Sequence, residues 1–440
     1  MKIGSRRFES LHNINKKQWS WALYDWANSA FACTVIAGFF PLFFKQYWSQ
    51  NTEVTTSTFY LGLGNSLASL LIVLAAPILG ALANRGRLRM RMLASLAAVG
   101  VISTGGLFFA GAGEWPLAIS FYVIATLGFS GANVFYDSLL VAIANPSERH
   151  RISALGYALG YLGGGLLFLV NVVMTLQPQW FGLADAAEAV RWSFLSVALW
   201  WAVFSIPILL WSDTAEDATD STAFSITTAF RDVIITAKGL RRHRAAWIFL
   251  LAYWLYIDGV ATVIRMAVDY GLSIGLPSTS LITALLLVQF IGFPATIAFG
   301  AMANRIGARK ALWIGLWVYV VATIYATFMT GGIDFYVLAI ALGLVQGGVQ
   351  SLSRSLFSHL IPADRNGEYF GFLNMMGKAA AIVGPVMVGI VAYSTGSSRL
   401  GLLSILILFA GGMWLLRYVP DQDQLPESHQ HHTTDSPGPN

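Results

Sequence analysis

Long apolar runs recur along the chain with short polar breaks between them, each near the roughly 20 residues that carry a helix across a hydrocarbon core. Twelve are read, at 19–44, 58–82, 92–112, 117–143, 152–176, 191–211, 245–272, 279–302, 311–330, 335–359, 369–394 and 397–417. Runs this long exceed the helices of a soluble core, which average roughly 10 to 14 residues. Stretches such as "LLIVLAAPILGALA" are continuously apolar, where barrel strands would alternate. The pattern predicts an all-α integral membrane protein.

Composition agrees: 56% of 440 residues are hydrophobic and 11% charged, against about 25% charged in soluble domains. The first 15 residues, with Arg6, Arg7, Glu9 and His12, make a poor secretory signal, so the first run is expected to be retained. The lone cysteine, Cys33, leaves neither an intrachain disulfide nor a cysteine-built metal site. The sequence has no HExxH, nucleophile elbow or P-loop, so neither an enzyme nor a cofactor is expected, and the glycines of "GYALGYLGGG" read as close helix packing.

Charge sets the orientation. With the amino terminus inside, the inner segments hold Lys2 to Lys17, Arg85 to Arg91, Arg149 and Arg151, Arg231 to Arg244, Arg305 to Lys310, Arg365 and Arg417. The outer side holds only Lys45, Arg191 and Arg399, a strong positive-inside bias with both termini cytoplasmic. The net charge of +5 is then answered by anionic headgroups, and membrane lipids rather than nucleic acid are the expected partners.

Five segments follow: a cytoplasmic amino-terminal segment (1–18), a six-helix half (19–211), a cytoplasmic linker (212–244), a second six-helix half (245–417) and a polar tail (418–440) whose "HQHH" is read as solvated rather than metal-binding. The linker, acidic in "SDTAEDATDSTAF" and basic in "KGLRRHR", is too short to fold alone and is read as amphipathic around Phe224 to Leu240. "PILGALANRGRLRMRML" from Pro77 is echoed by "PATIAFGAMANRIGARKAL" from Pro294, and Pro146 and Arg149 by Pro362 and Arg365. Trp21 and Asp25 match Trp254 and Asp258 as W-x-x-x-D. A repeated six-helix unit fits two halves alternating access around a central site.

Polar groups inside such helices are costly and face a cavity or a partner. Asp25 and Asn28 share a face near the inner end of the first helix, which suits a gate or anchor, with Trp19 and Trp21 at the interface and Trp26 in the bundle. Asn133 and Asp137 share a face of the fourth span, as do Gln346, Gln350 and Arg354 in the tenth. Asn133, Gln346 and Gln350 are candidate substrate contacts, while Asp137 and Arg354 suit gating or interhelical pairing. In the seventh span Asp258, Arg265 and Asp269 form either a structural charge cluster or part of the path. On the second reading Asp258 is a proton-coupling candidate, Arg265 meets a substrate carboxylate and Asp269 orients it. Lys378 reads first as a structural partner for a carboxylate across the bundle, and His150 and His359 as isolated groups at helix ends.

The twelve spans and six-plus-six repeat resemble the major facilitator superfamily. "WALYDWANSAF", "FSGANVFYDSLL", "GGVQSLSRSLFSHLIP" and "YFGFLNMMGKAAAIVGP" resemble bacterial permeases related to the fungal vacuolar amino-acid effluxer, from Trp19 to Arg417. The resemblance implies a major-facilitator-like bundle of 12 transmembrane helices in two six-helix halves, with helices 1, 4, 7 and 10 lining the cavity. It also implies a secondary transporter of an amino acid or related small molecule, an exporter by analogy, in the bacterial cytoplasmic (inner) membrane; a monomer is expected. The superfamily's basic loop normally opens with an aspartate; here Asn84 with Arg85 and Asn304 with Arg305 stand at the corresponding positions, so a loop gate would rest on other carboxylates or neutral bonds. A lysolipid translocator and a nontransporting scaffold or receptor are the alternatives.

Overall fold

The computed structural model describes residues 14–52, 54–83, 86–211, 239, 243–273, 276–361, 366–395 and 398–420. The amphipathic linker reading and the tail therefore lie outside the described residues, apart from Gly239 and residues 418–420. The described residues form twelve helical rods: α1 Lys16–Trp48, α2 Val54–Ala83, α3 Gly86–Gly106, α4 Trp115–Ile143, α5 Arg149–Leu176, α6 Ala186–Trp211, α7 Arg244–Ser273, α8 Ser278–Ile306, α9 Ala308–Ala326, α10 Gly332–Leu360, α11 Asn366–Thr395 and α12 Arg399–Leu416. Nine of them are, among the described residues, long and apolar enough to cross a membrane by length and composition alone.

Local chemistry sets the ends. Asn15 caps α1: its side chain accepts from Gln18 N (2.9 Å) while Gln18 Oε1 accepts from Asn15 N (3.2 Å), a reciprocal capping box. At the start of α10, Asp334 accepts from Thr330 N (2.9 Å) and Gly331 N (3.2 Å). Gly307, at φ +89°, turns the chain between α8 and α9 in a backbone region that side chains avoid. Beyond Ala30 the α1 rod widens to i→i+5 hydrogen bonding over Phe31–Phe39 and again over Phe44–Trp48, and the expected span ending near 44 continues to Trp48.

The buried apolar residues divide into two cores. One gathers side chains from Trp21 to Ile208, the other from Ala246 to Val419. Each core belongs to one set of six rods, α1–α6 or α7–α12. The sets meet where α5 packs on α8 and α10 and where α2 packs on α11.

Glycine allows the closest approaches. A Cβ at Gly128 in α4 would lie 2.7 Å from Leu96 O and 2.8 Å from Gly100 Cα of α3, backbone that cannot rotate away. Gly128→Val is expected to force α3 and α4 apart and to cost about 2 kcal/mol or more. A thermal melt of the purified protein unchanged from wild type would show that the helices yield instead.

Candidate functional site

The capped start of α1 fixes its register, and the i, i+4 spacing puts Trp21 and Asp25 on the face turned to the seam. Asp25 Oδ2 accepts from Tyr136 Oη of α4 (2.7 Å) and from Arg354 Nη2 of α10 (3.3 Å). Arg354 Nη1 lies 3.2 Å from Asp137 Oδ1 of α4, whose other oxygen accepts from Asn374 Nδ2 of α11 (3.0 Å). The guanidinium is completed by Ser153 of α5: Nε donates to its Oγ and Nη2 to its carbonyl, both at 3.0 Å.

Aromatic rings enclose this cation. Arg354 Cζ sits 4.6 Å from the Trp21 ring centre and 4.4 Å from that of Tyr157. Trp21 stacks on Tyr136 at 4.5 Å and donates through Nε1 to Tyr136 O (2.9 Å). The side chain of Arg354 is 4% exposed, those of Asp25 and Asp137 12% and 15%. One cation therefore faces two carboxylates in a nearly dry space and draws α10 of the second half onto α1, α4 and α5 of the first. Gly156 makes room, since a Cβ there would stand 2.6 Å from Asp25 Oδ2.

A second layer lies nearer the helix ends. Arg149 Nη1 donates to Ser358 O (2.7 Å), His150 Nδ1 meets Ser355 Oγ (2.6 Å), and the rings of His150 and His359 stand 4.8 Å apart. His359 sets Nδ1 against Ser355 O (2.7 Å) and Nε2 against Pro146 O (2.8 Å). Towards the middle, Gln289 Nε2 of α8 donates to Cys33 Sγ of α1 at 3.1 Å. The seam is thus bonded from mid-helix to the end of the bundle that holds the amino terminus of α1.

Of the candidates from the sequence, Asp25, Asp137 and Arg354 converge in this cluster. Asn28 Nδ2 donates to Asn133 Oδ1 (2.8 Å), one turn further along. Gln346 and Gln350 are half-buried on α10, on the turns preceding Arg354. Asp258 stands apart, buried within the second half, both carboxylate oxygens 3.0 Å from Gly384 N of α11 and Oδ1 3.4 Å from Thr262 Oγ1. Asn304 and Arg305 are exposed at the end of α8. Asn84 and Arg85, and the side chains of Arg265, Asp269 and Lys378, lie outside the described residues.

Two expectations are corrected. Trp21 is fully buried against Arg354 rather than lying at the interface, because its indole N–H has a backbone acceptor inside the bundle; Trp19, 38% exposed, keeps the outer position. His150 and His359 are not isolated but face each other across the seam. Sequence reasoning missed Ser153, Ser355, Ser358 and Asn374, short polar residues common in packed membrane helices.

A family model described as "Vacuole effluxer Atg22 like" matches residues 50–428. The chain belongs to that family. The match begins after α1, so Trp21 and Asp25 precede it. Like other members of this Atg22-like family, the chain has curated relatives, among them the uncharacterized MFS-type transporter YxiO of Bacillus subtilis (strain 168), 35% identical over 422 residues, 96% of this chain and 98% of that one. Autophagy-related protein 22 of Yarrowia lipolytica (strain CLIB 122 / E 150) is 26% identical over 309 residues, 62% of this chain; the matched stretch is 51% of the fungal protein's length. Among solved structures, the human organic anion transporter MFSD10 shares the fold with a TM-score of 0.70 at 15% identity, covering 91% of this chain and 99% of that one. The transporter FucP in its outward conformation does so at 0.67 and 14%, covering 92% and 100%. This Atg22-like chain is an integral-membrane transporter of the major facilitator superfamily, with an all-α bundle.

Proposed function

We propose that the chain carries an amino acid or related small polar solute across the bacterial cytoplasmic membrane by alternating access, and that the Asp25–Arg354–Asp137 cluster is the lock that closes its cytoplasmic end. The lock carries the reading: a buried cation bound to both halves holds them together on one side only while it is paired, which is what alternating closure requires. The positive-inside bias supports assigning that end, and both termini, to the cytoplasm. Efflux is supported by the family description. Asn28, Asn133, Gln346 and Gln350, half-buried or hydrogen-bonded beyond the lock, are the proposed solute contacts. Proton coupling is proposed at Asp25, because protonating it removes one of Arg354's two carboxylate partners and loosens the seam. The protein is proposed to act as a monomer.

The test is counterflow by purified protein in liposomes, with a panel of labelled amino acids run with and without a pH gradient. Saturable exchange of at least one is expected. No exchange of any amino acid alongside brisk movement of a labelled lysolipid would replace the substrate class.

A further inference from the structure

At the α8–α9 turn the surface opens into a cavity of about 620 Å³ lined by Arg305, Arg309, Lys310 and Arg417, with Ile306, Trp313 and Ile314 as its apolar wall. Among the described residues none of these four cations forms an ion pair. Two are held in place: Arg309 Nη1 donates to Val419 O (2.6 Å), and Arg417 Nη2 donates to Tyr418 Oη (2.8 Å). Arg305 and Lys310 are exposed. Four like charges around one hollow repel each other unless an anion enters it.

What lies below the hollow identifies that anion. On α9, helical spacing from Lys310 brings Ile314, Trp317 and Val321 into one stripe, 44%, 54% and 61% exposed. From Lys310 to Val321 the rise is roughly 16 Å, about half the hydrocarbon thickness. A free phosphate would satisfy the cations and leave the stripe bare. A phospholipid fits both, its headgroup among the cations and one acyl chain along the stripe.

We propose that this hollow is a binding site for an anionic phospholipid of the leaflet on the amino-terminal side. Arg305 and Lys310 grip the phosphate, Arg309 and Arg417 shape the rim, and Trp313 sits at the level where indoles favour the interface. The site is remote from the lock and does not depend on which solute is carried.

The experiment is native mass spectrometry of the full chain released from nanodiscs of mixed phosphatidylglycerol and phosphatidylcholine. Wild-type protein is expected to retain phosphatidylglycerol selectively, and R305Q/K310Q to retain it roughly thirtyfold less, the loss of two cations near an anionic headgroup. R399Q, which alters a cation at the other end of the bundle, is expected to match wild type. Equal retention by R305Q/K310Q and wild type, or an equal loss in R399Q, would overturn the site. So would protection of the hollow by inorganic phosphate with no preference between the two lipids. Should the double variant not fold, a photoactivatable phosphatidylglycerol on the unaltered protein decides: adducts on residues 305–317 support the site, and adducts only elsewhere refute it.

Discussion

Arg354→Gln is expected to abolish solute exchange and to open the amino-terminal end of the bundle. The guanidinium is the one cation among the described residues placed between Asp25 and Asp137, and its removal leaves two nearly buried carboxylates without the charge that bridges them. Removing one partner of a buried pair costs roughly 3–5 kcal/mol. That penalty falls on the closed-seam conformation alone, because opening lets water reach both carboxylates. The equilibrium should therefore move towards opening by about a hundredfold or more, at 1.4 kcal/mol per decade. The chain supplies its own reporter. Cys33, its single cysteine, is 6% exposed at mid-seam against Gln289. A water-soluble maleimide should label Cys33 slowly in wild type and at least tenfold faster in R354Q, where the opened seam admits water to it. Arg354→Lys should not restore the wild-type rate, since an ammonium cannot hold two carboxylates and both Ser153 atoms at the angles the planar fork meets. Unchanged Cys33 labelling with exchange intact would remove Arg354 from the lock.

How far the lock was legible in the sequence depends on the residue. The all-α bundle was readable because a bilayer leaves the backbone only one economical solution, the long helix; the helix limits were not, as α1 runs on to Trp48 and α3 begins at Gly86. Asp25, Asp137 and Arg354 stood out individually, since a charge in an apolar run must have a partner. Their mutual partnership did not, because Asp25 and Arg354 are 329 positions apart and no local periodicity links them. Trp21 was misplaced for a similar reason: an indole near a helix start usually anchors at the interface, and only the Tyr136 carbonyl on a different helix explains its burial. Ser153 carries no signal at all in the sequence, being one serine among many. The W-x-x-x-D repeat was visible, yet its two copies have different surroundings: Asp25 meets Arg354 across the seam, whereas Asp258 meets Gly384 N of α11.

That difference separates the two aspartates experimentally. Asp258→Asn is expected to lower stability and to scale all transport modes together. Its carboxylate accepts from Gly384 N of α11 and from Thr262 Oγ1 of α7, so it fastens α7 to α11. An amide keeps one acceptor for the Gly384 N–H but loses the charge-assisted part of the bond, about 1 kcal/mol, the excess of a hydrogen bond to a charged group over a neutral one. Gly384 leaves no slack for a larger adjustment, since even a Cβ there would come 2.8 Å from Asp258 Oδ1. Asp25→Asn acts on a different quantity. It fixes in place the uncharged form that protonation would produce, leaves Asp137 as the one of the two carboxylates still paired with Arg354, and so uncouples opening from the proton. In proteoliposomes, D25N should keep counterflow within about threefold of wild type while accumulation driven by a pH gradient falls at least tenfold; a threefold change is under 1 kcal/mol and a tenfold one about 1.4. D258N should reduce counterflow and gradient-driven accumulation by the same factor and lower the melting temperature. Selective loss of accumulation in D258N, with counterflow preserved, would move the coupling site from the seam into the second half. Accumulation unaffected in D25N would leave Asp25 a structural member of the lock with no part in coupling.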